Sequence, residues 1–236
     1  MRSVPSDSGE SGDDDRSAKA RIRDAAIGCF AELGLADTTA RKVATAAGVS
    51  PALVMHHFGS MDGLRRACDD FVIAAIRERK EKVMTQGPGF DILGALRDSD
   101  YGNLTLYLAK VLMEDSDSVA EVVDHLVDDA EGYFAKGVES GMLRPSEDHR
   151  GRVVLMTLWA LGGIVMHSHM KRLLGVDLTD PDVTTSPDFI NYVRPVMEIV
   201  GTGMFTDEFT AQLSGAFASA TTPDEDRNED TEEHDD

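Results

Sequence analysis

Residues 38–64, TTARKVATAAGVSPALVMHHFGSMDGL, confine the chain more tightly than any other stretch, because two short helical patterns are separated only by Gly48, Val49 and Ser50. Thr38 or Thr39 opens the first pattern, its hydroxyl accepting an orphan amide of the opening turn. Val43, Ala44 and Ala47 give this helix a buried face. Gly48 ends it in the left-handed conformation that lets a second helix leave at a steep angle. Ser50 caps the second helix, and Pro51 takes its first position, where the missing N–H costs nothing. Val54 and Phe58, four apart, dock it, which leaves Ala52, Leu53, Met55 and His56 on the outward face. The whole reads as a helix-turn-helix, whose small residues at the start of the second helix let a backbone approach base edges and phosphates in a major groove.

The flanks support that assignment. Upstream, Ile22, Ala26, Cys29, Phe30 and Leu33 recur at three and four and Gly34 stops the pattern, so a supporting helix precedes the motif. Downstream, His57-Phe58-Gly59-Ser60 leads into a longer helix carrying Leu64, Ala67, Cys68, Phe71, Ile73, Ala74 and Ile76, which turns charged from Arg77 to Lys82 and ends at Gly87-Pro88-Gly89. Over about residues 18–64 this arrangement resembles the DNA-binding head of the tetracycline repressor (TetR) family of bacterial transcriptional regulators.

Further along, helical patterns cover residues 90–97, 103–113, 118–140, 147–174 and 188–202, with a short one at 207–218 and a loop at 175–187. Pro195 either kinks its helix or marks its true start. Strand-like alternation is absent, so the fold class is all-α: a three-helix head with the helix-turn-helix, and a larger helical bundle. The expected organisation is a disordered acidic tail at 1–16, a DNA-binding head at 17–64, a ligand-binding and dimerisation body at 65–220, and a second acidic tail at 221–236.

A formal charge of −20 sits awkwardly with nucleic-acid binding until its distribution is read. Residues 17–66 hold seven cations against four anions, a net of +3, whereas the tail from Thr221 holds nine acids and one Arg. The field at the contact matters more than the total, and the head is weakly basic. Its binding is therefore expected to be salt-sensitive. Lys19 to Arg23 either touch phosphate or form a solvated face.

Enzyme constellations are missing: there is no P-loop, no Gly-x-Ser-x-Gly elbow and no His-Glu-x-x-His helix. His125 with Asp124 and Asp128 reads as a solvated cluster. His167 and His169, two apart, point to different sides of a helix and do not make a metal site. No catalytic residue, metal or cofactor is expected. Cys29 and Cys68 read as reduced thiols. No apolar run reaches the roughly 18 residues of a membrane span, and the N-terminus is acidic, so a cytoplasmic protein is expected.

The resemblance implies more. It places Arg41 where similar proteins reach a base, Thr39 at a phosphate contact, Ser50, Pro51, Ala52 and Leu53 at the groove-facing start of the recognition helix, and His56, His57 and Ser60 toward phosphate. Lys42 joins this set. Met55 stands where Tyr is frequent and Met61 where Lys is frequent, so two phosphate anchors are missing and Arg41, with apolar contacts from Ala52 and Leu53 to thymine methyls, has more discrimination to supply. The body is implied to bind a small, hydrophobic effector beside Tyr107, Leu108, Leu112, Met113, Met156, Trp159, Gly163 and Met166; the plain alternative is that these side chains fill the core and the dimer seam. The last two long helices, near residues 153–170 and 189–200, are the implied homodimer surface, giving a two-headed regulator of a near-palindromic double-stranded operator, a repressor released by effector. The rival is a helical ligand-binding or interaction module whose head has lost strong DNA binding.

Overall fold

The computed structural model describes residues 10–87, 102–114 and 116–201. Among these residues every regular element is helical, and no helix is long and apolar enough to cross a membrane. The helices are α1 (Glu10–Leu33), α2 (Ala40–Ala47), α3 (Pro51–Phe58), α4 (Met61–Met84), α5 (Gly102–Leu112), α6 (Asp117–Glu139), α7 (His149–Val165), α8 (His167–Leu174) and α9 (Ile190–Gly201). Two 3-10 turns, Val183–Thr185 and Pro187–Phe189, occupy the stretch read as loop. The helices expected at 90–97 and 207–218, and the C-terminal tail, lie outside the described residues.

Two boundaries differ from those expected. α1 begins at Glu10, inside the stretch expected as a disordered tail. The helix expected over 147–174 is two helices, α7 and α8, meeting at 77°. Met166 leaves helical geometry at φ −93°, ψ 21°, and its carbonyl restarts the ladder by accepting from the amides of His169 and Met170 at 2.9 and 3.0 Å. The Gly162-Gly163 pair just upstream weakens the helix there. Beyond the break, Asp177 anchors α8: its Oδ1 lies 3.2 Å from His167 Nδ1 and accepts the Thr179 hydroxyl at 2.7 Å. Burial alone would raise the Asp177 pKa, but the hydrogen bonds from Thr179 and His167 outweigh it and hold the carboxyl below its usual range. In α9 the chain stays helical through Pro195, five residues after the helix begins.

The expected division between head and body is not a division of the core. Ile22, Phe30, Val43, Val54, Leu64, Cys68 and Val72 of the first four helices share one buried cluster with Tyr107, Leu108 and Val111 of α5, Val122 and Leu126 of α6, and Leu161 of α7. α1 lies along α5, and the Phe30 and Tyr107 rings meet at 6.0 Å. A second cluster, Val127, Ala130, Tyr133 and Val153, joins α6 to α7 and takes in Met84 from the end of α4. α4 and α6 run alongside each other, linked by Lys136–Glu81 at 2.9 Å and by the Ser140 hydroxyl donating to the Met84 carbonyl at 2.6 Å. α4 thus starts in the head and ends packed on the body.

Candidate nucleic-acid interface

The local chemistry of residues 34–64 builds the interface. Two threonines share the work of opening α2. Thr39 is the cap, its hydroxyl accepting from the Lys42 amide at 3.4 Å. Thr38 is buried and faces the other way, its hydroxyl donating to the Gly34 carbonyl at 2.7 Å and the Cys29 carbonyl at 3.1 Å. The sequence allowed either residue as the cap; the structure assigns the cap to Thr39 and makes Thr38 the clamp that ties α2 to the end of α1.

Gly48 holds φ 67°, ψ 36°, and the Val49 amide reaches back to the Ala44 carbonyl at 2.9 Å, so α2 closes with the left-handed turn expected of it. Ser50 Oγ accepts from the Leu53 amide at 3.2 Å and Pro51 opens α3. Val54 is fully buried and Phe58 partly so, which docks α3 on the head. At the next corner Gly59 has φ 74°, and Ser60 Oγ accepts from the Gly63 amide at 2.9 Å. A Cβ on Gly63 would overlap the Phe58 carbonyl oxygen, so the end of α3 and the start of α4 touch backbone to backbone. The sequence holds no sign of this role for Gly63, because close approach of two backbones leaves no periodic signal.

The outward surface is what remains. Thr39, Arg41, Lys42, Ser50, Pro51, Ala52, Met55, His56 and Ser60 are all exposed. Neither α2 nor α3 contains a carboxylate, so this face meets an anion with cations, capped helix starts and small apolar groups. Two placements depart from expectation. Leu53 is half-buried and packs against the head core, while Pro51 and Ala52 stay exposed. Lys42 Nζ donates to the Asp37 carbonyl at 2.8 Å, so its charge is held beside the start of α2. His56 and His57 lie in the last turn of α3, their rings 5.6 Å apart, and His57 is half-buried.

Two clefts border the head, one of about 430 Å³ between α1, Phe58 and α4, and one of about 370 Å³ along α4. In the first, Lys19 Nζ stands 5.7 Å from the centre of the Phe58 ring and the Arg23 guanidinium 3.5 Å from that of Phe71. Neither cleft is lined by the eight residues expected to surround an effector. The eight differ in burial: Tyr107 and Leu108 are in the core with Leu112 packed against it, Met156 and Gly163 are half-buried, and Met113, Trp159 and Met166 are exposed. Tyr107 is instead a hydrogen-bond donor, its hydroxyl 2.7 Å from Asp69 Oδ1. Among the described residues no group of three His, Cys, Asp or Glu is placed to hold a metal.

Comparison with known proteins agrees with this geometry. Residues 22–68 match the bacterial regulatory proteins of the tetR family, and residues 99–206 match the tetracyclin repressor-like C-terminal domain. The chain is 34% identical over 194 residues to the HTH-type transcriptional regulatory protein RaaS of Mycobacterium tuberculosis, spanning 82% of this chain and 89% of RaaS. It is 28% identical over 143 residues to the HTH-type transcriptional repressor AcnR of Corynebacterium glutamicum, spanning 56% and 72%. Among solved structures, Salmonella enterica GusR superposes with a TM-score of 0.51 at 19% identity, covering 78% of this chain and 95% of GusR. NalD, the secondary repressor of the MexAB-OprM multidrug efflux pump in Pseudomonas aeruginosa, gives 0.50 at 20% identity, covering 82% and 98%. At these identities the structural likeness is one of fold.

Proposed function

From the premise that the chain belongs to the tetR family, and is therefore a DNA-binding transcriptional regulator and not an enzyme, we propose that it is a homodimeric repressor released from a near-palindromic operator by a small hydrophobic effector. The observation that carries the reading is the acid-free face of α2 and α3, where Arg41, Thr39, Ser50 and Ala52 are all exposed beside two capped helix starts. Arg41 takes the guanine contact, since its planar fork matches two acceptors on one base edge. Ala52 meets a thymine methyl. Thr39, His56, His57 and Ser60 align the head on phosphates. The protein works in the cytoplasm, on chromosomal DNA.

The dimer forms through the last two long helices. α7 leaves Leu155 70% exposed and also presents Leu158 and Trp159, while α9 presents Met197, Ile199 and Val200. On each of the two helices taken by itself, exposed apolar residues are costly to leave in water and support a role in association. Paired heads then enter successive major grooves about 34–36 Å apart. The effector is held in the body, where α5 packs on α7, and it lowers operator affinity by as much as it prefers the released arrangement.

A gel-shift titration against the DNA flanking the protein's own gene tests this reading. A discrete retarded band at low salt, lost as salt rises, is the expected result. Absence of any band across that region would favour a helical interaction module whose head no longer binds DNA.

A further inference from the structure

Four charged or polar side chains meet where the head joins the body. Asp69, on α4, is 8% exposed, and Tyr107, on α5, 1%. The Tyr107 hydroxyl donates to Asp69 Oδ1 at 2.7 Å. On the same side Arg65, one helical turn before Asp69, donates through Nη1 to Glu114 Oε2 at 2.7 Å, just past the end of α5. The arrangement is incomplete. Arg65 Nε stands 3.9 Å from Asp69 Oδ2, too far for a hydrogen bond, and both Nε and Nη2 are buried without an acceptor among the described residues.

A half-satisfied buried network is costly, because each unpaired donor has lost its water and gained nothing in return. Arg65 and Asp69 share α4, so a shift of α4 against α5 leaves that spacing as it is and acts instead on the two bonds that cross between the helices, Tyr107–Asp69 and Arg65–Glu114. The shift cannot be absorbed at the corner before α4. Arg65 is two residues from Gly63, whose backbone abuts the Phe58 carbonyl, and Ser60 caps the same turn. Movement at Arg65 is therefore carried to α3.

The geometry points to Arg65, Asp69, Tyr107 and Glu114 as a latch between α4 and α5 that positions the recognition helix, with Tyr107 and Glu114 acting on operator binding from the body side without touching DNA. It rests on the operator-binding reading of the head, but its physical content is separable from that reading.

The test uses full-length protein carrying Tyr107→Phe, which removes only the hydroxyl, and Glu114→Gln, whose half-exposed site keeps the test decisive if the buried variant does not fold. Glu131→Gln, at the exposed Arg150–Glu131 pair, is the control. Two quantities are measured: affinity for a duplex selected by the wild-type protein, and hydrogen exchange of amides 51–69 without DNA. The latch predicts a roughly tenfold change in affinity for each latch variant, of the order of coupling between linked sites. The double variant should be little worse than the poorer single, as for groups acting as one unit. Exchange across 51–69 should quicken in both latch variants and stay unchanged in the control. Unchanged exchange in the folded Glu114→Gln protein would overturn the latch whether or not a duplex is found. So would affinities within twofold of wild type. Failure to select any duplex, with quickened exchange, would count against the operator reading and leave the latch standing.

Discussion

Gly63 and Thr38 show how much of the interface depends on single atoms. Because a Cβ on Gly63 would overlap the Phe58 carbonyl oxygen, Gly63→Ala forces the α3–α4 corner apart. It should cost roughly 2–4 kcal/mol, at the large end for single substitutions, and urea unfolding would show it. Thr38→Val keeps the shape but removes the part-buried bonds to the Gly34 and Cys29 carbonyls, at a cost of about 1 kcal/mol. Asp69 yields a pH prediction. Burial raises its pKa, more than Tyr107 and Arg65 lower it, so the folded state holds this proton at a pH where the unfolded chain has released it. The stability it contributes is full below the ordinary carboxylate pKa near ~4 and is lost as pH rises through the raised folded value. Asp69→Asn should flatten that part of the pH profile of melting temperature. Burial pushes the Cys68 thiol up to about 12, with Asp69 adding to the effect, so it stays protonated and inert at neutral pH.

At the scale of elements, the helix starts were the most legible feature. Ser50-Pro51 and Thr39 carry their own local chemistry, and the structure places a cap at each. Ser50→Ala should therefore destabilise α3 by about 1 kcal/mol, seen as faster hydrogen exchange in residues 51–58. The bend at Met166 was not legible in the same way. Residues 147–174 keep an apolar helical period across it, and the side chains that hold the bend, Asp177 and Thr179, lie beyond the pattern. The Tyr107–Asp69 bond was hidden for a related reason: an aromatic in an apolar helix reads as pocket or core, and only the fold brings Asp69 to its hydroxyl. The exposed residues of α2 and α3 were legible because caps and turns leave few orientations open. Leu53 was not, since eight residues of helix are too few to fix which edge faces α2.

At the scale of the whole molecule, the acidic chain and the weakly basic head describe a protein that meets DNA with one surface only. In the proposed dimer two heads would double the contacts at little further entropic cost. Leu158→Asp, in the exposed face of α7, should yield monomers by sedimentation and weaken operator binding by well over tenfold. Trp159, the single tryptophan, provides a readout: 42% exposed in one chain, it should emit at shorter wavelength in the dimer and shift to the red as Leu158→Asp separates the subunits. Selection from random duplexes by the wild-type protein and by Arg41→Ala tests the central claim most directly. The account predicts a near-palindrome with half-sites about one helical turn apart, carrying a guanine whose enrichment disappears in the variant. A single unpaired half-site, or a guanine preference untouched by Arg41→Ala, would contradict it.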